Sequence, residues 1–512
     1  MYFLMSYFLA YVQGLWLTIF YQAGLYFSFV CMSPLLLFSF IVIYFLVLLG
    51  VAFYTSRNSN NETFFIGNKS SNWMLVAFGM IGTSLSGVTF ISVPGTVGVA
   101  GFSYFQVVLG YFLGYLAVAY VLLPLYYKLN LTSIYHYLDH RFGKRSYKIG
   151  ALFFIISRTM GATLRLYLVI NVMQLFILDQ LGVPFMATTL IILLMILLYT
   201  FKGGVKTIVW TDTLQTFFML LALVVCVGYI IQDLDLSLSS AWTQLNDSGY
   251  TGIFGMNAMD KKFFLKQIIG GAFITISMTG LDQEMMQKNI SVKTLGDSQK
   301  NMITFSTIMV LVNFLFLFLG GLLYLYASHN RISVSGDDLF PTIALQYLPP
   351  AISIIFIIGL ISALFPSADG AITALTSSFC IDILGIQRNE RLSETQKSTT
   401  RKTVHLTFAA IFVACVFVFK FINNKSIITI LLDVAGYTYG PLLGLFAFGI
   451  LTKRRLNDKL APVICLLAPA ICYALQINAS SVFGNYQIGI EMLILNGAMT
   501  FGGLWMVSAK QQ

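Results

Sequence analysis

Thirteen apolar runs of about 20 residues or more, separated by short polar loops, limit what this chain can fold into. A helix rises 1.5 Å per residue, so each run spans the ~30 Å hydrocarbon core of a bilayer. In lipid no water satisfies the backbone, so only helices and closed barrels cross. The alternating pattern of a barrel strand is absent, which leaves helices. Composition agrees: 58% of residues are hydrophobic and 10% charged, with a mean hydropathy of +0.82. The fold class expected is an all-α polytopic membrane protein, and counting soluble domains by length does not apply.

The spans are expected near 34–55, 73–100, 103–127, 149–178, 183–201, 208–232, 263–287, 301–327, 350–384, 403–423, 426–451, 459–477 and 485–507. Met1 to Val30 is apolar as well. It reads as a further span, a signal-like leader, or sequence upstream of a true start at Met32-Ser33-Pro34. The organisation expected is an extension over 1–31, a leading helix over 32–60, a ten-helix core over 61–455 and two trailing helices over 456–512.

With the 34–55 helix starting outside, 22 of the 30 Lys and Arg residues fall in inner loops and six in outer ones, while Arg158 and Arg165 lie within a span. This asymmetry predicts an integral cytoplasmic-membrane protein with its C-terminus in the cytoplasm. It also accounts for the net charge of +10 without nucleic acid, because the basic residues form no aromatic-interleaved patch. The six cysteines lack metal-ligand or disulfide spacing, and His136 and His140 share a face with no third ligand, so no transition-metal site is read. No catalytic dyad or HExxH pair appears, and an enzyme is not expected.

Three stretches carry chemistry. Gly82-Thr83-Ser84-Leu85-Ser86-Gly87-Val88-Thr89, followed by Pro94-Gly95, places hydroxyls and glycines in mid-span. These are the ingredients of a helix broken at the midplane, where freed carbonyls bind a cation; close packing of small residues is the alternative. Ala363-Leu364-Phe365-Pro366-Ser367-Ala368-Asp369 puts a proline, a hydroxyl and a carboxylate in another span, and is read as a second break. A carboxylate there needs a partner: a hard cation, or a proton and a neighbouring helix. In the third, Gly203-Gly204 is expected to turn the chain, and Trp210-Thr211-Asp212-Thr213-Leu214-Gln215 brings polarity into the next helix, where Asp212 reads as a cap.

The stretch from Gly203-Gly204 through Gln215 resembles the signature of the sodium:solute symporter family, which includes sodium/glucose, sodium/proline and sialic acid transporters. Tyr135 to Gly143, Asp282 to Lys288 and Gly440 to Phe446 resemble further family segments in order and spacing. The resemblance covers about residues 34–455. It implies a LeuT-like five-plus-five inverted-repeat core with flanking helices. The implied activity is sodium-coupled symport of a small polar solute across the lipid bilayer by alternating access, with no organic cofactor and no obligate protein partner.

Residue by residue, the resemblance implies a sodium site on the carbonyls of Gly82, Leu85 and Ala363 and the hydroxyl of Ser367. Pro366 stands where many relatives carry a second hydroxyl, and Asp369 is the candidate to compensate. Asp212 matches a position that joins a second sodium site in some relatives. Ser86 and Thr89 match solute-facing positions, with Gln106 and Gln283 as additions. Arg158 and Arg165 are a reading of the residues themselves: they lie two turns apart on one face of one span, with Arg158 ~14 Å from its inner end. A guanidinium at that depth wants a carboxylate, supplied by a solute such as sialic acid or an amino acid; the alternative is internal pairing with an aspartate or with broken-helix carbonyls. Arg165 lies nearer the outer face, where snorkelling is its alternative. Sodium is the coupling ion implied; proton coupling, a sugar or vitamin as solute, and a channel or sensor on the same frame are the rival readings.

Overall fold

The computed structural model describes residues 33–55, 71–422 and 427–510. The expected extension over 1–31 lies outside the described residues.

Among the described residues, seven helices are long and apolar enough to cross a bilayer: α1 (Pro34–Thr55), α4 (Tyr104–Lys128), α5 (Lys144–Leu178), α7 (Thr207–Asp233), α10 (Leu295–His329), α11 (Pro350–Ile383) and α12 (Glu394–Phe421). Three further spans are bent pairs. These are α2 (Trp73–Ser84) with α3 (Gly87–Ala100) at 55°, α8 (Phe264–Gly280) with α9 (Gln283–Ile290) at 65°, and α13 (Ile430–Thr438) with α14 (Gly440–Leu451) at 43°. Shorter apolar helices are α6 (Phe185–Thr200), α15 (Ala461–Ile477) and α16 (Met492–Met506). The two most strongly bent pairs are the first and sixth helices of the core, five apart, as an inverted repeat of two five-helix halves requires.

Helical backbone continues through Gly203-Gly204, where a turn was expected. The segment nevertheless reverses. Tyr199 bonds Asp369 and Ala222 packs on Gly359, partners only ~15 Å apart on α11, whereas 23 residues of straight helix would separate Tyr199 from Ala222 by ~35 Å.

The second expected break is absent. α11 runs unbroken through Pro366, because neighbours on every side bury it and hold its course. Arg455–Leu456 pairs antiparallel with Ser508–Ala509, in register Arg455 to Ala509, and ties the C-terminal segment to the core. Asp458 caps α5 from a distance by accepting from the amides of Arg145 (2.9 Å) and Ser146 (2.7 Å).

Small residues set the closest helix approach. A Cβ on Gly110 of α4 would run into the Ile268 carbonyl of α8, and one on Gly271 into the Val107 carbonyl. The two backbones touch because these positions carry no side chain. Gly110→Ala is therefore expected to cost about 1–3 kcal/mol, read as an earlier thermal transition of the purified protein. An unchanged transition would mean that α4 and α8 separate freely.

Candidate functional site

The α2–α3 break follows from its residues. Gly82 and Gly87 flank Ser84, Leu85 and Ser86; Leu85 leaves helical geometry at ψ 83° and Ser86 is extended at ψ 177°. Among the described residues, no backbone N–H and no side chain donates to the carbonyls of Gly82 or Leu85. The break between α8 and α9 is different. Tyr126 donates to the Gly280 carbonyl at 2.7 Å and Tyr135 to the Leu281 carbonyl at 2.9 Å, while the Asp282 carboxylate caps α9 on the amides of Glu284 and Met285. One break is filled by tyrosines; the other presents bare buried carbonyls.

Bare carbonyls away from water are costly unless something positive meets them. Ser367 on α11 is fully buried with its hydroxyl on the Leu364 carbonyl at 2.8 Å, and α11 packs on α2. Thr216 of α7, a residue the sequence reading missed, lies against Gly82 with its Oγ unpartnered. An oxygen-only donor set of this kind suits a hard monovalent cation.

Beside the break is a cavity of about 90 Å³, lined by Ser84, Ser86 and Thr89, by Tyr104 and Tyr111 of α4, by Arg158 and Arg165 of α5, and by Asn313 of α10. At ~10–15 Å³ per water it holds a handful of waters or a small solute. Ser86 and Thr89 are thus both on the cavity wall.

The two arginines differ. Arg158 bonds Glu284 and lies 3.8 Å from Asp282, so the internal-partner alternative holds and its charge is already met. Arg165 does not snorkel. It is buried and lines the cavity; among the described residues no carboxylate lies within 4.0 Å of it, and its Nε has no partner.

Other expectations need correction. The Gln106 amide is held at the outer loop by the carbonyls of Ser103 (3.0 Å) and Lys262 (3.3 Å) and by the Gly255 amide (3.3 Å). Gln283 donates to the Thr132 carbonyl at 3.1 Å and accepts from the Ile134 amide at 3.0 Å, fastening an inner loop. Neither lines the cavity: both amides are engaged by backbone. Asp369 accepts from Tyr199 (2.7 Å) and from the Gly370 amide. Because α11 is unbroken, two residues turn it 200° away from Ser367, so it does not complete that residue's ligand set.

Asp212 is not a helix cap. Its Oδ2 bonds Lys288 Nζ at 2.6 Å and Thr83 Oγ at 3.1 Å, and Nζ also bonds Thr83 Oγ at 2.6 Å and lies 3.7 Å from Glu284. Lys288 is one of the 22 Lys and Arg residues that the sequence places in inner loops. It is in fact buried. Its i,i+4 spacing from Glu284 was the available signal, but spacing cannot say that both point inward. Asp212, Asp282, Glu284 and Asp369 against Arg158, Arg165 and Lys288 give the region a formal charge of −1.

Residues 64–461 match the model of the sodium:solute symporter family. The chain is 24% identical over 474 residues to the sodium/sialic acid symporter NanT of Aliivibrio fischeri, covering 88% of this chain and 89% of that one. It is 26% identical over 415 residues to the mouse sodium-coupled monocarboxylate transporter 1, covering 78% and 66%. A solved Na+-coupled sialic acid symporter, in a substrate-bound outward-open state, superposes with a TM-score of 0.80 at 20% identity over 93% of this chain and 99% of that one; this likeness concerns the fold, which is LeuT-like.

Proposed function

From the premise that this chain belongs to the sodium:solute symporter family, we propose that it imports a small organic carboxylate whose charged group is received by Arg165. As a family member it is a membrane transporter that couples sodium to the movement of a small organic solute, and not an enzyme. The observation that carries the carboxylate is the contrast within α5: Arg158 is neutralised by Glu284, while Arg165 faces the cavity with no acid beside it. A buried guanidinium is stable only with an anion or a dense set of acceptors. Two of the relatives above are named for carboxylate solutes, sialic acid and monocarboxylates, which supports the same reading.

Sodium is bound by the carbonyls of Gly82 and Leu85, with Ala363 and Ser367 facing from α11 and Thr216 adding a hydroxyl. Solute and ion meet at the same break, since Ser84 and Ser86 line the cavity while the carbonyls around them hold the ion. An ion that orders the break raises solute affinity, and the solute raises ion affinity by the same factor. The inward membrane potential adds ~2.3 kcal/mol per charge per 100 mV. Among the described residues we read the ten spans and the three shorter helices as thirteen crossings, with the C-terminus in the cytoplasm on the charge asymmetry.

The test is uptake into proteoliposomes of labelled sialic acid, short monocarboxylates, amino acids, glucose and a vitamin, under an imposed sodium gradient and separately under a pH gradient. Accumulation of a carboxylate under the sodium gradient is expected. Accumulation of glucose alone would remove the carboxylate reading, and uptake driven only by the pH gradient would remove sodium.

A further inference from the structure

Lys288 is the least expected feature of this site. Its ammonium is buried within the bilayer-spanning region, 2.6 Å from both Asp212 Oδ2 and Thr83 Oγ and 3.7 Å from Glu284 Oε1. These oxygens come from α7, α2 and α9. Further oxygens on the same side chains and one turn along α7 are free: Asp212 Oδ1, Glu284 Oε1 and Gln215 Oε1 are buried without hydrogen-bond partners. Without the lysine, this group is a pocket of carboxylate, hydroxyl and amide oxygens, the donor chemistry of a hard cation. The lysine arrives on α9, directly after the α8–α9 break, and reaches the helix that carries the other break.

We infer that Lys288 is a tethered cation, filling with its own ammonium an oxygen-lined site that would otherwise hold a sodium ion. The consequence rests on the sodium-coupled reading above: the Asp212 site contributes no transported ion, and the protein moves one sodium per solute, held at the Gly82–Leu85 break. Ionic attraction is met at the Asp212 site by a charge that never leaves the protein. The region keeps its formal charge of −1 with Lys288 in place and falls to −2 without it, so removal of the lysine invites one more monovalent cation.

The experiment is a coupling ratio. Wild-type protein in proteoliposomes is given a solute that it accumulates, and the flux ratio of radiolabelled sodium to solute is measured together with the reversal potential. A ratio of one and a Hill coefficient near one for sodium are expected. Lys288→Met is expected to raise both to about two, because sodium enters the vacated site. The double variant Asp212→Asn with Lys288→Met, which removes both charges, is expected to return to one.

A wild-type ratio of two would overturn the inference while leaving the carboxylate symporter intact. So would a transport-competent Lys288→Met that stays at one, or a double variant at two. Should Lys288→Met not assemble, the wild-type ratio decides by itself. Loss of all sodium-driven uptake in the wild type would instead strike the reading on which this inference rests, so the two failures are distinguishable.

Discussion

Arg165→Ala is expected to raise the half-saturating concentration of a carboxylate solute by roughly 30- to 1,000-fold, the equivalent of about 2–4 kcal/mol for a charge-assisted pair lost from a water-poor pocket. The size follows from placement. Arg165 lines the cavity and among the described residues has no acid within 4.0 Å, so its full charge is available to a ligand. Arg165→Lys keeps the charge but loses the planar fork that grips both carboxylate oxygens, and is expected to recover only part of the affinity. An amide analogue of the solute should bind the wild type weakly and barely respond to the substitution. The measurement is sodium-driven uptake against solute concentration. Carboxylate affinity unchanged in Arg165→Ala would show that the guanidinium does not receive the solute.

Arg158→Ala is expected to act on stability instead. Its guanidinium bonds Glu284 and lies 3.8 Å from Asp282, and Asp282 is also held by Tyr439 at 2.9 Å. Removing the arginine leaves two buried carboxylates, Asp282 and Glu284, to share the single remaining cation Lys288, 3.7 Å from Glu284, at a cost of about 3–5 kcal/mol. Folded, monodisperse protein should fall sharply and thermal unfolding should come early. Arg158→Met combined with Glu284→Gln removes both charges and is expected to recover most of the loss. Thermal unfolding of the wild type, Arg158→Met, Glu284→Gln and the double variant gives the coupling energy. If Arg158→Ala were as stable as the wild type and had lost only carboxylate affinity, the roles assigned to the two arginines would be exchanged.

The two predictions separate residues that the sequence presents as equals. Arg158 and Arg165 are two turns apart on one helical face, and periodicity places both on the same side of α5. What distinguishes them lies on other parts of the chain, more than a hundred residues away, where Asp282 and Glu284 enter beside one arginine only. Lys288 repeats the lesson. Its position after an apolar run and its distance from Glu284 suit a helix end in an inner loop, and only the packing of α9 against α2 and α7 carries it to Asp212.

The membrane class, the helical architecture and the first broken span were legible because they follow from local physics. Lipid offers the backbone no hydrogen bonds, so long apolar runs must be helices, and Gly82, Gly87 and the hydroxyls between them weaken one such helix at its centre. The family was legible too, through the Trp210 to Gln215 signature. The partners of buried charges were decided only in three dimensions, because a salt bridge depends on which helices are neighbours and a sequence records only which residues are adjacent along the chain. For the same reason Pro366 was misread as a break: whether a proline interrupts a helix depends on how tightly its surroundings hold the backbone, and around α11 they hold it helical.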